Sequence, residues 1–251
     1  MHHVSIELSY NNLLKDLADI NLIQQVANAA FKREFDILDE FEKSKSPDSI
    51  VGNYAFGFDN PFSGEVEKYA FRKTSISDLK SLTLQQKNNQ YSWLLSNAFE
   101  KFESYVKCSY EMLTNKKAPR DLNKTLTYFS DNYPLLNENE KSNKCNIHLK
   151  IAVLLVEKLR HAIVHEQGCI LDSKAFINKV IKQSGINNDR LKHEKFIQQF
   201  IFDGKVYIVE LPIVDGDFLP RCHDIYRHLV SYLLAYAYLI KEHTESGIKT
   251  V

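Results

Sequence analysis

The residues best suited to chemistry lie in one short segment, where an arginine and two histidines follow a long apolar run. They are Arg160, His161 and His165. An imidazole titrates near neutral pH and can take or give a proton. A guanidinium can clamp two oxygens of a phosphate and stabilise the negative charge that develops there. These residue types therefore suit cleavage of a phosphodiester, which needs proton transfer and a cation beside the phosphorus.

The element that must position these residues is the segment before them. The nineteen residues from Ile147 to His165 contain no glycine or proline, and apolar residues recur at helical spacing. Apolar residues also cover most other faces, which predicts a helix that is buried on several sides. Gly168 is predicted to end the helix. The ionisable groups then lie in its last turn, where the helix dipole favours the protonated form of His165.

The spacing of the three residues decides which of them can act together. His161 and His165 are four positions apart and share a helix face. Arg160 and His165 are five positions apart, so their side chains diverge by about 140° on an ideal helix. We expect the long arginine stem, or a second subunit, to close that gap.

The pattern formed by Arg160 and His165 is R-x4-H, with the polar His161 directly after the arginine. A long helix over Gln90 to Leu113, a polar linker, and then an apolar helix that ends in this pattern resemble the HEPN superfamily. The resemblance covers the chain from Gln90 to His243. It implies an all-α helical bundle and, as in the active members of the family, a metal-independent endoribonuclease.

The resemblance also implies roles for the residues. The protein is expected to cleave single-stranded RNA to 2′,3′-cyclic phosphate and 5′-hydroxyl ends, with Arg160 holding the scissile phosphate. His165 is expected to transfer a proton, and His161 to assist it. A prokaryotic toxin or antiviral defence role, a homodimer, and an antitoxin or defence partner protein follow from the same resemblance. Members paired with a nucleotidyltransferase antitoxin carry a tyrosine where this chain has Gln167.

Three other interpretations of the same residues stay open. In the first, Arg160 forms an ordinary ion pair with Glu157 or Glu166, and the histidines only cap the helix. In the second, His161 and His165 have the spacing of a metal-binding pair on a helix. Candidate third ligands are Cys169, Glu166 and His148. In the third, the fold is kept without catalysis, which leaves a module that binds nucleic acid or a partner protein.

Composition limits the partners and the compartment. Lysine plus arginine equals aspartate plus glutamate at 32 each, so RNA binding needs a local basic patch. The four cysteines form no C-x-x-C pair, and no signal peptide precedes them, which predicts a cytoplasmic protein without a structural zinc site. No cofactor or metal is expected. The longest apolar run, Leu229 to Ile240, is too short to span a bilayer.

The predicted fold is mainly α, an HEPN-like helical bundle with one small β-hairpin inserted before the C-terminal helix. The turn that predicts the hairpin is Asp203-Gly204.

The predicted domains are 1–84, an N-terminal helical region with an aromatic loop that packs on the core, and 85–251, the HEPN-like helical domain. In the first, Glu7 to Glu42 is predicted to be helical, with one or two helices. The aromatic stretch Tyr54 to Phe58 is predicted to be a loop or short strand anchored to the core, or alternatively a base-stacking platform.

Residues 115–143 are predicted to form a polar surface connection between two long helices.

Apolar residues that do not fit one face of the bundle predict a homodimer through the end of the central helix. These residues are Val153, Val156 and Val164, with Leu229, Leu233, Tyr236 and Ile240 of the last helix. The alternative is that the N-terminal helices cover this face and the protein is a monomer.

Weaker candidates for functional residues are a basic cluster and two glutamates that could orient a histidine. They are Arg221, His223, Arg227 and His228, and Glu100 and Glu103.

Overall fold

A computed structural model describes residues 5–209 and 224–248, and for residues 53–56, 68–71 and 245–248 it describes the backbone only. The described part contains eight α-helices and two antiparallel strand pairs. The predicted mainly α fold with a small hairpin is confirmed. The helices are α1 (Ile6–Ser44), α2 (Ile76–Thr114), α3 (Leu122–Asn132), α4 (Pro134–Lys141), α5 (Leu149–His165), α6 (Ser173–Ser184), α7 (Arg190–Gln198) and α8 (Ile225–Ile248). The strands are β1 (Ile50–Asp59), β2 (Val66–Ser75), β3 (Ile201–Phe202) and β4 (Lys205–Val206).

The chain forms two compact units, and both α1 and α2 contribute to each of them. Unit 1 comprises Met1–Ile23 and Tyr91–Val251, and unit 2 comprises Gln24–Gln90. The first residues of α1 therefore belong with the region that was predicted to form the helical domain.

Helix α5 is the centre of unit 1. Its apolar residues from Ile151 to Val156 are all fully buried, as the continuous apolar pattern predicts. The helix lies against α6 and α8. In α8 the residues Leu229, Leu233, Tyr236 and Ile240 are also fully buried. The apolar surface that was expected to remain for a second subunit is therefore mostly covered within one chain.

The polar segment between α2 and α5 is part of the core, so the prediction of a surface connection was wrong. It forms α3 and α4, and Leu122, Leu126, Phe129 and Leu136 are buried to 1% exposure or less. Asp121 caps α3 by accepting a hydrogen bond from the backbone N–H of Asn123. The three on α3 recur at helical spacing, which is enough to dock a short helix even where its other faces are polar.

Unit 2 consists of the second part of α1, the β1–β2 hairpin and the first part of α2. The strands pair antiparallel from Ile50 opposite Ser75 to Asp59 opposite Val66. The predicted aromatic loop or short strand is thus a ten-residue strand, while the side chains of Tyr54 and Phe56 lie outside the described residues. Lys80 of α2 forms ion pairs with Asp39 and Glu42 of α1. Helix α1 continues through Asn21 without the break that the sequence allowed.

The predicted hairpin before the last helix is present but short. Strands β3 and β4 are two residues each and are joined by Asp203 and Gly204, with φ angles of 47° and 68°. Two successive positive φ angles are the requirement of the tight hairpin turn that an Asp-Gly pair predicts.

Candidate functional site

Helix α5 is terminated by two backbone hydrogen bonds that share one acceptor, the carbonyl of Ala162. The N–H groups of Glu166 and Gly168 both donate to the carbonyl of Ala162, at 2.9 Å each. Gln167 and Gly168 have φ angles of 53° and 76°. Successive left-handed residues turn the chain away from the helix axis. The helix therefore ends at His165, as predicted, and presents its last turn at the surface.

Arg160 crosses from α5 to α2. One terminal nitrogen of its guanidinium lies 2.8 Å from Oε1 of Glu100, while 29% of the arginine side chain and 55% of the glutamate side chain are exposed. The expected ion pair with Glu157 or Glu166 is not formed. Glu157 instead accepts a hydrogen bond from Gln183 at 3.2 Å. The Nε atom of Arg160 is buried and has no hydrogen-bond partner among the described residues.

His161 and His165 lie on one face of α5, as their spacing predicts. Their ring centroids are 4.7 Å apart, with 48° between the ring planes. Both residues are exposed, and Nε2 of His161 lies 4.0 Å from Oε1 of Glu166. Both rings are therefore open to solvent.

The three candidate residues form two groups. Helix α5 stays α-helical through His165, so the divergence of about 140° between Arg160 and His165 holds. Arg160 reaches towards α2, whereas the imidazoles contact each other, and no direct contact joins the arginine to either ring in the described part of the chain. Within one chain the site therefore offers two adjacent imidazoles for proton transfer and a separate guanidinium for anion binding.

Two exposed apolar residues lie near these groups in the sequence of α2 and α5. Val164, which directly precedes His165 at the helix end, is 49% exposed. Trp93 is 57% exposed and lies on the polar side of α2, seven positions before Glu100. Both side chains therefore present apolar surface to solvent.

The other sequence candidates contribute little to this site. Arg221 and His223 lie outside the described residues, and the His228 ring and the hydroxyl of Tyr232 are hydrogen-bonded at 2.8 Å. Glu100, considered as a partner for a histidine, binds Arg160 instead. Across residues 5–209 and 224–248, no group of three or more His, Cys, Asp or Glu side chains has the arrangement of a metal site.

Two polar features were missed by the sequence analysis. Glu140 of α4 is 1% exposed and accepts hydrogen bonds from Tyr236 at 2.5 Å and from Ser130 at 2.9 Å. Burial raises the pKa of the Glu140 carboxyl. The second feature is a contact at the start of α5, where the backbone N–H of the half-buried His148 donates to Nε2 of the buried His193 at 3.4 Å. Glu140 and His193 lie in segments rich in Asn, Lys and Glu, where nothing in the local pattern distinguishes a buried polar residue from a solvated one.

None of the described helices is long and apolar enough to cross a membrane. Comparisons of the chain with protein-family models, with curated proteins and with solved structures found no match. Assignment of a function therefore rests on the residues and the geometry of the site itself.

Proposed function

We propose that the protein is a metal-independent endoribonuclease that cleaves single-stranded RNA, with the end of α5 as its active site. The observation that carries the proposal is the pair of exposed, adjacent imidazoles of His161 and His165 in the last turn of a buried helix. A rigid buried helix fixes the positions of the two rings, and their exposure leaves them accessible to a polymer.

The chemistry assigned to each residue follows from its type. His165 takes the 2′-hydroxyl proton so that this oxygen attacks the phosphorus, and His161 gives a proton to the departing 5′ oxygen. The products are a 2′,3′-cyclic phosphate and a 5′-hydroxyl. Arg160 binds the non-bridging phosphate oxygens and stabilises their charge in the transition state.

The ion pair of Arg160 with Glu100 is part of this proposal. Because both side chains are partly exposed, the pair contributes at most about 1 kcal/mol and an RNA phosphate can displace the glutamate. Glu100 then holds the guanidinium extended towards α2 until substrate arrives.

A non-catalytic module that binds nucleic acid or a partner protein is the second candidate function. The observation in its favour is that Arg160 is already neutralised by Glu100 and has no contact with the histidines in the described structure. In this case the end of α5 contributes charge and exposed Val164 to a binding surface, without bond cleavage.

A homodimer that brings two copies of the α5 end together is a further part of the proposal. Its first argument, surplus apolar surface, is weakened because Val153 and Val156 are fully buried in one chain. What supports it is the separation of Arg160 from the histidines, which a second copy would compensate, and the exposure of Val164. Sedimentation at micromolar concentration tests it, since a single species at 29.1 kDa is a monomer.

The proposal includes the role that a resemblance to HEPN proteins implies, which is a prokaryotic toxin or antiviral defence system in the cytoplasm with an antitoxin or defence protein as partner. Expression of the wild-type chain and of the His165→Ala variant in bacteria tests this role. Growth arrest that depends on His165 is the expected result, and equal growth of both strains contradicts a toxin role.

The central experiment is digestion of a labelled single-stranded RNA by the purified protein in EDTA. We expect cleavage by the wild type and loss of at least about a hundredfold in rate for His165→Ala and for Arg160→Ala. Lys174→Ala, a change at an exposed position of α6, is the matched control and should cleave normally. Cleavage at wild-type rate by His165→Ala and Arg160→Ala, with circular dichroism showing intact folds, would overturn the catalytic assignment in favour of the binding module.

A further inference from the structure

A polar cavity of about 400 Å³ lies in unit 1 at the start of α5, beside the loop that joins α6 to α7. The residues important here are Lys141, His148, Asn188, Asp189, Lys192 and His193. The cavity is at the opposite end of α5 from His165. With 17 residues in the helix and a rise of 1.5 Å per residue, the two sites are about 25 Å apart.

His193 brings a buried, unsatisfied donor to this cavity. Its residue exposure is 4%, and its Nε2 accepts a hydrogen bond from the backbone N–H of His148 at 3.4 Å. Because Nε2 is an acceptor in this contact, the proton of the neutral ring lies on the other nitrogen, Nδ1. Burial lowers the pKa of the His193 ring, against a smaller opposing effect of the Asn188 backbone, and no hydrogen bond of normal geometry reaches Nδ1. A buried N–H without a well-aligned acceptor is destabilising, and an acceptor in the cavity would satisfy it.

His148 shows that the surroundings of the cavity are electropositive. It is the N-cap residue of α5, yet its side chain makes no capping hydrogen bond, and its Nδ1 is buried without a partner. Burial is the main cause that lowers the pKa of His148 to about 4, and His193, Lys141 and Lys150 contribute to this shift because positive neighbours disfavour its charged form.

The fixed charges of the lining favour an anion. Lys141 and Lys192 have no ion-pair partner in the described part of the chain, and together they outweigh the single carboxylate of Asp189. The start of α5 adds the positive end of a helix dipole to the same region.

We propose that this cavity binds the phosphate group of a small phosphorylated ligand. A phosphate offers several acceptor oxygens, enough for the Nδ1–H of His193 and the ammonium groups of Lys141 and Lys192 at once. A cavity of about 400 Å³ has the size of sites that hold whole small ligands rather than a single ion. The residues beyond the phosphate, including the Asn188 amide, then contact the rest of the ligand.

Binding is measured by calorimetry on the full chain with inorganic phosphate, adenosine 5′-monophosphate and adenosine. We expect the monophosphate to bind, adenosine not to bind, and Lys192→Ala to weaken binding at least tenfold. Lys195→Ala is the matched control, because Lys195 is also exposed on α7 but does not line this cavity. Binding of inorganic phosphate as tight as that of the monophosphate identifies free phosphate as the ligand.

A second readout follows the buried ring directly. In spectra of ¹⁵N-labelled imidazoles, the Nδ1 signal of His193 should move when phosphate or the monophosphate is added, and His193→Asn should remove the response while its fold is checked by circular dichroism. No binding of either phosphate probe at millimolar concentration, or equal binding by the wild type and Lys192→Ala, would overturn the proposal. RNA cleavage enters neither readout, so this result is independent of the proposed ribonuclease activity.

Discussion

Among the single side chains, Glu100 has the most direct influence on the candidate site, because it holds the guanidinium of Arg160 at 2.8 Å. Glu100→Gln removes the charge and keeps the shape. We expect a loss of less than about 1 kcal/mol in the free energy of unfolding, since the pair is partly exposed. We also expect tighter binding of single-stranded RNA at low salt, because the glutamate no longer competes with phosphate.

The matched control for this change is Glu103→Gln, because Glu103 lies one turn along α2 and pairs with Lys107 instead. Fluorescence anisotropy with labelled RNA and urea unfolding give the two quantities. Weaker RNA binding by Glu100→Gln than by Glu103→Gln would contradict the competition between Glu100 and RNA.

His148 should make stability depend on pH. Its pKa is lowered from 6.5 to about 4 in the folded protein, so the unfolded chain binds this proton more readily. The stability is fully present above pH 6.5 and falls as the pH drops through the window between the two pKa values. Because the ring is only partly buried, we expect His148 to account for about 1–2 kcal/mol of the loss between pH 7.5 and 5.

Urea unfolding of the wild type and of His148→Asn at several pH values measures this effect. The difference between the two proteins isolates His148, since Glu140 and His193 are present in both. His165→Ala, a change of an exposed histidine, is the control. Parallel pH profiles for wild type and His148→Asn would show that the burial of the ring does not affect proton binding.

Sequence alone located the candidate site but not its partners. R-x4-H at the end of an apolar helix identified Arg160, His161 and His165, and the spacing of four correctly placed the two rings together. The partner of Arg160 was not predictable, because Glu100 lies sixty positions away and α2 carries several other exposed carboxylates. The buried state of His193 depends in the same way on how α7 packs, which its mostly polar sequence does not indicate.

The end of α5 depends on two left-handed residues, and these offer a paired test of how the helix is terminated. Gly168 has a φ of 76°, and a Cβ built there meets no atom within 4 Å. Gly168→Ala should therefore lower the free energy of unfolding by about 1 kcal/mol through backbone strain alone. Gln167→Gly, at a φ of 53°, should change it little, because relief of strain offsets the greater freedom of glycine in the unfolded chain.

Urea unfolding of both variants gives the comparison. If Gly168→Ala is as stable as the wild type, the helix end adjusts freely. In that case the positions of His161 and His165 are less fixed than the structure shows.

Elements with a strong apolar period were the ones that sequence predicted. Helix α5, the N-terminal helix and the Asp-Gly hairpin were all confirmed. Helices α3 and α4 were missed because Pro134 and a run of Asn, Glu and Lys residues are typical of loops. Their four buried apolar residues stabilise these helices only by contact with helices elsewhere in unit 1. A short stretch of sequence does not indicate such contacts between distant segments.

The division into two units predicts that unit 2 can be removed. Within unit 1, Asp16 of α1 and Lys101 of α2 form an ion pair at 3.0 Å, so the two helices are neighbours there. Replacing residues 24–90 by a flexible linker of about ten residues should leave unit 1 folded. Far-UV circular dichroism and phosphate binding at the α5 cavity should both be retained.

The control is a chain with the same linker inserted in the loop between β1 and β2, with no residues deleted. A shortened chain that lacks a cooperative unfolding transition, while this control keeps one, would show that unit 1 requires unit 2.

Unit 1 is discontinuous along the chain, and this affects the order in which the protein can form on the ribosome. Tyr10 packs edge-on or tilted against Tyr105 and Tyr238, the second of which is synthesised more than two hundred residues later. At translation rates of about 5–20 residues per second, that delay is about 10 s or more. Leu13 and Leu17 of the same helix are both 3% exposed in the finished protein. Unit 2 is contiguous, so all of its residues are synthesised long before the last residues of unit 1.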